Sequence, residues 1–165
     1  MKDFDLVVIA AVAKNNVIGN KGSIPWHISE DLKHFKKLTT NHPIIMGSNT
    51  ADSFPKALPC RANIVLNPSG YDRDGFYSYK SLEGGLEDIK MGIFDNDYDC
   101  SKVYIIGGGM LYKYAMEFAD VLEISHVKKS FGGDTYFPEI DMNIWKVVKK
   151  ESFDDFDFVT YVKDD

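Results

Sequence analysis

Apolar residues occur along the chain in runs that are barely interrupted by polar ones. The clearest runs are Phe4–Ala13, Pro43–Met46, Ala62–Leu66 and Val103–Ile106. A strand covered on both faces, as in a largely parallel sheet, has this pattern, whereas a half-buried strand alternates. The runs therefore predict buried strands, and the segments Phe76–Tyr79 and Val121–Val127 predict two more.

Apolar residues at helical spacing follow most of these strands. Residues 15–25 contain the Asn, Gly and Pro residues typical of a loop. The predicted helices are Ile28–Leu38 with Ser29 as its cap, a helix starting at Ser48–Thr50, about Ser81–Met91 and about Met110–Glu117. A hairpin, Trp145–Ser152 with Phe156–Val162, is predicted to turn at Asp154–Asp155. Strands that alternate with helices and are followed by a terminal hairpin predict an α/β fold. We expect one domain over residues 1–165, with a central twisted, mostly parallel sheet, flanking helices and an antiparallel C-terminal hairpin.

Composition narrows the class of protein. Of the 165 residues, 44% are hydrophobic and 13% aromatic, so one domain can bury a core without disulfides or a structural metal. A formal net charge of -6 argues against a general nucleic-acid binder. Cys60 and Cys100 are isolated, which fits a reducing compartment, and the four histidines form no metal-binding pattern. Without a cleavable leader or a long apolar run, the sequence predicts a cytoplasmic protein.

Asp31 lies on the apolar face of the first predicted helix. The apolar residues of that face are Ile28, Leu32, Phe35 and Leu38. At about 100° per residue, Asp31 falls inside this stripe, whereas Glu30 points to the opposite side. A carboxylate in apolar surroundings needs a partner or its pKa rises, which suits acid chemistry or the binding of an amidine-like ligand. A simple interaction with the helix N-terminus is the structural alternative.

Two strand-to-helix turns carry groups suited to an anionic ligand. Ile106–Met110 contains a glycine triplet, and Met46–Thr50 contains a glycine followed by hydroxyl and amide side chains. In open α/β sheets, ligands bind at the carboxyl ends of strands, where helix N-termini favour anions. Neither turn has the P-loop or GxGxxG pattern. One glycine turn alone is explained by tight packing, but the two together predict a phosphorylated or dinucleotide ligand.

Only two of the 19 basic residues are arginines. Arg61 lies between Leu58–Cys60 and a buried strand, and its guanidinium is suited to two-point contact with a carboxylate. A surface salt bridge of little energetic value is the alternative. Arg73, in the polar turn at 71–75, is predicted to be a surface charge of this ordinary kind.

Taken in order, the motifs of this chain resemble those of dihydrofolate reductases over almost the whole sequence. They are Ile9–Ala11, Val17–Gly19, Ile24–Trp26, Asp31–Leu32 with Phe35, Ile45–Gly47 with Thr50, Leu58–Pro59 with Arg61, Asn63–Leu66, Ile105–Gly109 with Tyr112, and Gly133–Pro138. Each motif alone is weak evidence, but the ordered set is specific. The resemblance implies hydride transfer from NADPH to the pterin of 7,8-dihydrofolate, which gives 5,6,7,8-tetrahydrofolate.

The resemblance implies roles for residues around the substrate. Asp31 would pair with the amino-pyrimidine edge of the pterin and promote protonation of the neighbouring nitrogen, with a supporting hydrogen bond from Ser125. Trp26 would lie beside the pterin and help to order a water. Arg61 would take the glutamate carboxylate, with Lys56 nearby. The other implied substrate contacts are Ile9, Ala11, Leu32, Phe35, Phe54, Leu58 and Ile106.

The resemblance also implies an NADPH site at the two glycine turns. The implied contacts are Ala11, Ile18, Gly19, Asn20, Gly47, Ser48, Asn49, Thr50, Leu66, Asn67, Lys80, Ile106, Gly107, Gly108, Gly109, Met110, Leu111, Tyr112 and Thr135. Ser48 and Met110 stand where basic residues are common in the family, so we expect NADPH with reduced discrimination against NADH. Segment Gly19–Trp26 resembles the family's mobile active-site loop, with Gly19 and Gly22 as flexible points.

Two other functions fit parts of the sequence. One is a reductase of the same fold that acts on a pyrimidine intermediate of riboflavin synthesis, which Asp31 and Ile24–Trp26 disfavour. The other is a non-catalytic nucleotide- or pterin-binding module, in which Asp31 is only a helix-terminal charge. For the reductase of dihydrofolate we expect a monomer that binds substrate and dinucleotide, without a nucleic-acid or membrane partner.

Overall fold

The computed structural model describes residues 4–21 and 24–163, which form ten strands and four helices. The strands are β1 (Asp5–Val12), β2 (Val17–Gly19), β3 (Pro43–Gly47), β4 (Ala62–Leu66), β5 (Phe76–Tyr79), β6 (Lys102–Gly107), β7 (Val121–Val127), β8 (Thr135–Tyr136), β9 (Trp145–Ser152) and β10 (Phe156–Lys163). The helices are α1 (Ser29–Thr39), α2 (Ser48–Asp52), α3 (Leu82–Lys90) and α4 (Gly109–Ala115).

Eight strands form one sheet in the order β5-β4-β3-β6-β1-β7-β10-β9. The first six strands in this order, from β5 to β7, are parallel to one another. Strand β10 runs antiparallel to both β7 and β9. The prediction of an α/β fold with a mostly parallel sheet and an antiparallel C-terminal hairpin is confirmed.

The central strands bury side chains on both faces of this sheet. Along β1, Leu6 and Val8 pack into one hydrophobic cluster, while Val7 and Ile9 pack into a second cluster. All four residues are buried. Because successive side chains of a strand point to opposite faces, a strand covered on both sides needs apolar residues at every position. This double burial explains why the apolar run of β1 does not alternate.

A second, two-stranded sheet pairs β2 with β8, where the sequence predicts only a loop at residues 15–25. Val17 pairs with Tyr136, and Gly19 pairs with Thr135. Strands of three and two residues are too short to show a periodicity, so the pattern of the sequence could not reveal them. The pairing brings two predicted cofactor contacts, Gly19 and Thr135, next to each other.

The predicted cap of α1 is wrong, and α3 is the helix that has a side-chain cap. Ile28 occupies the N-cap position of α1, and no side-chain capping bond is formed there by the described residues. The Ile28 carbonyl already accepts a hydrogen bond from Leu32 N at 3.1 Å, which places Ser29 inside the helix. In α3, Ser81 Oγ accepts a hydrogen bond from Gly84 N at 3.1 Å.

The parallel strands end at one edge of the sheet, where helices α2 and α4 begin. Gly47 is the last residue of β3, and Gly107 is the last residue of β6. Helix α4 begins at Gly109 and ends at Ala115, slightly before its predicted bounds. None of the helices in the described ranges is long and apolar enough to cross a membrane. This edge of the sheet is where ligands bind in folds of this class.

Candidate active site

A cavity of about 690 Å³ opens at the carboxyl ends of β1 and β6. This volume is within the usual range of small-molecule sites. The predicted site residues that line it are Ile9, Ala11, Ile18, Gly19, Asp31, Leu32, Phe35, Asn49, Thr50, Phe54, Ile106, Gly107, Gly108, Gly109, Tyr112, Ser125 and Thr135. The structure therefore brings residues of both the substrate set and the cofactor set into one cavity.

Asp31 projects from α1 towards β7 at this cavity. Ser125 Oγ donates a hydrogen bond to Asp31 Oδ1 at 2.5 Å, and Ser125 itself is buried. Burial raises the pKa of Asp31, and the hydrogen bond from Ser125 and the nearby His34 partly offset that rise. The carboxyl group of Asp31 therefore retains a proton to higher pH than an exposed aspartate does.

Glu30 shows the ordinary behaviour of a carboxylate on the same helix. Its side chain is 62% exposed, and Lys33 Nζ lies 3.9 Å from Glu30 Oε1. Phe35 and Leu38 pack against the sheet on the other side of α1. Leu32, which was also predicted on the apolar face, is 50% exposed and lines the cavity, so only part of that face packs against the sheet. Because the Asp31 carboxyl accepts a hydrogen bond from Ser125 on β7, a purely helix-terminal role does not describe it.

Backbone geometry explains the glycines in the turn after β6. Gly107 has φ of +125°, a region that residues with a Cβ rarely adopt. A Cβ at Gly109 would lie 2.8 Å from Thr135 Cγ2. Tyr112 Oη donates a hydrogen bond to the Ile9 carbonyl at 2.8 Å, which ties α4 to β1. The turn is therefore held close to both the large sheet and β8.

The turn after β3 lies against the turn after β6. A Cβ at Gly47 would be 4.0 Å from Gly107 O and from Gly108 N, and a Cβ at Gly108 would be 3.6 Å from Thr50 Oγ1. The glycines thus leave a cradle of bare backbone between the two turns, which side chains would otherwise fill. A ligand can approach this bare backbone closely, so the residues present fit a dinucleotide cofactor.

The remaining predicted cofactor contacts do not line the cavity. They are Asn20, Gly47, Ser48, Leu66, Asn67, Lys80, Met110 and Leu111. Met110 is 90% exposed, and Lys80 is exposed as well. Asn67 Oδ1 accepts a hydrogen bond from Ser69 N at 2.8 Å. These residues lie outside the cavity itself, and their contact with a cofactor stays a prediction.

Four predicted substrate residues also lie outside the cavity lining: Trp26, Lys56, Leu58 and Arg61. The Trp26 ring packs against Phe131, with 5.0 Å between the ring centroids. Lys56 is exposed. Leu58 packs against the sheet, and its amide donates a hydrogen bond to Asn63 Oδ1 at 2.9 Å. The predicted place of Trp26 beside the pterin therefore stays a prediction.

Arg61 is buried at the start of β4, with 6% of its surface exposed. Its Nε donates a hydrogen bond to Pro59 O at 2.9 Å, and its Nη1 donates to Thr39 Oγ1 at 3.1 Å. Burial lowers the pKa of Arg61. No salt bridge in the described part of the chain involves this guanidinium. The alternative of a surface salt bridge is therefore wrong for Arg61.

The prediction of an ordinary surface charge is also wrong for Arg73. Its Nη1 donates a hydrogen bond to Ala51 O at 2.9 Å, and its Nη2 donates to Phe54 O at 2.7 Å. The guanidinium carbon lies 4.8 Å from the centroid of the Phe76 ring. Arg73 thus donates to two carbonyls at and just after the end of α2, and Ala51 O also accepts a hydrogen bond from Phe54 N at 3.1 Å. Arg73 thereby positions Phe54, which lines the cavity.

Sequence reasoning missed several residues that line the cavity. They are Ala10, Ile24, His34, Ser53, Asp134 and Phe158. His34 follows Asp31 by about one helical turn, so helical spacing was a usable signal for it. Phe158 reaches the cavity because β10 pairs with β7 in a register that places it opposite Ser125. No local pattern reveals that register.

The segment predicted to be a mobile loop is anchored near its start. Asp134 Oδ2 accepts a hydrogen bond from Lys21 N at 3.0 Å, and this bond lowers the pKa of Asp134. Gly22, predicted as a flexible point, lies outside the described residues. Within residues 4–21 and 24–163, Cys60 and Cys100 are free, and no group of three or more side chains could hold a metal ion.

Comparisons with known proteins agree with this geometry. Residues 5–163 match the family model for dihydrofolate reductase. The chain is 36% identical over 165 residues to a dihydrofolate reductase of Haloferax volcanii, a match that covers 94% of this chain and 81% of that protein. It is 34% identical over 162 residues to the dihydrofolate reductase of Bacillus subtilis, with coverage of 94% and 92%.

A solved structure extends the similarity to three dimensions. It is a dihydrofolate reductase from Enterococcus faecalis complexed with NADP(H) and RAB-propyl. The TM-score is 0.83 and the sequence identity 31%, and the match covers 100% of this chain and 99% of that one. A family match over nearly the whole chain, together with this shared fold, shows that the chain belongs to the dihydrofolate reductase family.

Proposed function

We propose that Asp31 supports protonation of the pterin in the reaction that this chain catalyses, the NADPH-dependent reduction of 7,8-dihydrofolate to 5,6,7,8-tetrahydrofolate. The observation that carries the proposal is the Asp31 carboxyl, held by Ser125 at 2.5 Å on the wall of the cavity. When bound, NADPH supplies a hydride. A proton must also reach the pterin nitrogen. A carboxyl with a raised pKa suits this task because a general acid works best when its pKa lies near the pH of the reaction.

Asp31 also orients the substrate in this proposal. The two oxygens of a carboxylate accept parallel hydrogen bonds from an amidine-like edge, such as the amino-pyrimidine part of the pterin. The hydroxyl of Ser125 restricts rotation of the carboxyl group. Apolar walls exclude water and strengthen these hydrogen bonds. The residues proposed to form the walls are Ile9, Ala11, Leu32, Phe35, Phe54 and Ile106.

Arg61 binds the glutamate carboxylate of the substrate in this proposal. Neutral oxygens of Pro59 and Thr39 hold the guanidinium in place. Among the residues that the structure describes, no acidic side chain forms a salt bridge that would neutralise its charge. The planar guanidinium can bind a carboxylate through two hydrogen bonds, which a lysine cannot reproduce. Lys56 is exposed and adds only a screened attraction.

The two glycine turns hold the cofactor in this proposal. Backbone N–H groups of residues 107–109 and the hydroxyl of Thr50 provide hydrogen-bond donors for phosphate oxygens. Ser48 and Met110 add no positive charge, which leaves Lys80 as the proposed cation near the ribose. We therefore expect the chain to prefer NADPH over NADH, but by a smaller factor than family members with basic residues at these two positions.

The chain acts as a cytoplasmic monomer of one domain in this proposal. Residues of one chain build the cavity, so a second copy is not required to complete it. The net charge of -6 is unfavourable for contact with nucleic acid. Light scattering on the purified protein is expected to give the mass of one chain, and a dimer mass would contradict the proposed monomer.

The activity test follows the loss of reduced-nicotinamide absorbance in the presence of dihydrofolate. We expect turnover with NADPH, slower turnover with NADH, and a higher KM for 7,8-dihydropterin, which lacks the glutamate that Arg61 is proposed to bind. Absence of turnover with dihydrofolate would contradict the function. Efficient turnover of the riboflavin-pathway pyrimidine instead would favour the alternative reductase.

A further inference from the structure

His34 is a titratable cavity residue to which the proposed function gives no role. It lies about one turn after Asp31 on α1, and both side chains line the cavity. The His34 Nε2 atom is buried and has no hydrogen-bond partner among the described residues. A buried polar atom without a partner costs free energy in the folded state. Packing alone would be served better by an apolar ring, so the imidazole needs a different explanation.

The C-terminal hairpin fixes the position of the His34 ring. The centroid of the imidazole lies 3.9 Å from that of Phe158, with an interplanar angle of 64°. Phe158 stands opposite Ser125 in the pairing of β10 with β7. Ser125 in turn donates its hydrogen bond to Asp31. The imidazole and the carboxyl are therefore held by the same pair of strands.

We propose that His34 is a positioning residue for Asp31: the two groups bind protons as a coupled pair, and a protonated imidazole favours the ionised carboxylate. The inference deepens the proposed function and rests on it, because Asp31 is the proposed proton source. It adds a second titratable group to the part of the cavity where the pterin is proposed to bind.

The charged groups that face His34 come from two elements. Asp31 and Lys37 lie on α1, and Lys149 and Glu151 lie on β9. Burial is the strongest influence and lowers the pKa of His34, the two carboxylates raise it, and the two lysines lower it. Burial also raises the pKa of Asp31, so the two pKa values move towards each other. Ionisable groups that interact strongly bind and release their protons as a pair.

The coupling has a definite sign. A positive charge on His34 disfavours proton binding by Asp31, so the imidazole lowers the apparent pKa of the carboxyl. Activity that needs the proton on Asp31 falls as pH rises above that pKa. Removal of the imidazole should therefore raise the apparent pKa and preserve activity to higher pH.

The first test compares pH profiles of kcat/KM for the wild type, His34→Phe and His34→Gln. H34F keeps a ring against Phe158, and H34Q keeps a polar group, but neither can become a cation. We expect both to raise the apparent pKa of the falling limb by about half a unit. His42→Gln is the control. His42 immediately precedes β3, so it lies at the amino ends of the parallel strands, whereas the cavity lies at their carboxyl ends, and its profile should match the wild type. Coincident profiles for wild type, H34F and H34Q would overturn the proposal.

The second test does not depend on turnover. Proton NMR titration of the imidazole signals gives the pKa of His34 in the wild type and in Asp31→Asn. Because the Asp31 carboxylate raises the pKa of His34, we expect D31N to lower it. An unchanged pKa of His34 would overturn the coupling. If D31N lowers the pKa of His34 but the wild type fails to reduce dihydrofolate, the coupling is supported and only the proposed function is contradicted.

Discussion

Asp31 and Arg61 are ionisable groups that the fold removes from water but supplies with different partners. The Asp31 carboxyl receives a hydrogen bond from Ser125, and its surroundings raise its pKa, which favours the neutral form. The Arg61 guanidinium is held by the carbonyl of Pro59 and the hydroxyl of Thr39, both of which are neutral. Arginine remains charged under these conditions.

This difference separates two tasks. A carboxyl whose pKa is shifted towards neutrality can gain and lose a proton during a reaction. A buried cation with only neutral partners can bind an anionic ligand but does not exchange protons. We therefore expect substitutions of Asp31 to act mainly on kcat and substitutions of Arg61 to act mainly on KM.

The largest expected effect is that of Asp31→Asn on the rate. Loss of a general acid typically costs about 10²–10⁴-fold, so kcat at neutral pH should fall within this range. The deficit should shrink as pH falls, because protons from solution then reach the pterin without the carboxyl. Glu30→Gln is the matched control on the exposed face of α1, and its kcat should stay within about twofold of the wild type. Full activity of D31N at neutral pH would refute the role of Asp31.

Arg61→Lys should act on binding. The loss of a charged two-point contact costs roughly 1.5–3 kcal/mol, which corresponds to a rise in the KM for dihydrofolate of about 10–100-fold. Steady-state kinetics would measure kcat and KM separately. The matched variant Arg73→Lys loses hydrogen bonds to two carbonyls. Its main effect should therefore be a lower free energy of unfolding, with only a small change in the KM for dihydrofolate. If R61K lowered kcat as strongly as it raised KM, the separation between the two regions would fail.

Gly47→Ala tests whether NADPH binding can also be weakened by a substitution that changes no charged group. Its Cβ would meet nothing closer than 4.0 Å, so the stability of the protein should barely change. The methyl group would enter the cradle between the two turns, and we expect the Kd for NADPH to rise about tenfold. Gly132→Ala is the control, since nothing lies within 4 Å of its Cβ. Equal NADPH affinity in both variants would place the cofactor elsewhere.

The smallest expected effect is on stability. Because the folded-state pKa of Asp31 lies above its ordinary value of 3.8, the folded state binds this proton more strongly, and the free energy of unfolding decreases as pH rises through that window. At neutral pH, D31N should therefore be more stable than the wild type, because it loses no proton in this window. Urea unfolding at several pH values would measure this. A stability difference that does not decrease towards pH 3.8 would contradict the sign of the pKa shift.

The parts of the fold that were predictable are those with many apolar positions. The bounds of β4, β5 and β7 agree with the predicted strands, because each run is long enough to show its pattern. The sheet of β2 and β8 was missed since its strands are too short for a pattern. The predicted division into one domain is not tested by the structure and stays a prediction.

The site was predictable to the extent that its residues share one local element. Asp31 was found from helical spacing alone, and His34, on the same helix, could have been found in the same way. Phe158 could not, because it reaches the cavity through the pairing of β10 with β7. The buried states of Arg61 and Arg73 also depend on contacts with carbonyls and side chains of other elements.

The sequence by itself determined the α/β class, the apolar face that carries Asp31 and the two glycine turns, because these follow from periodicity and from the local conformations of the backbone. Only the tertiary structure decided which partner each charge has: Ser125 for Asp31, neutral oxygens for Arg61 and the rings of the C-terminal hairpin for His34. The physical reason is that the pKa and the binding capacity of a group depend on the exclusion of water by distant segments, and local sequence does not contain that information.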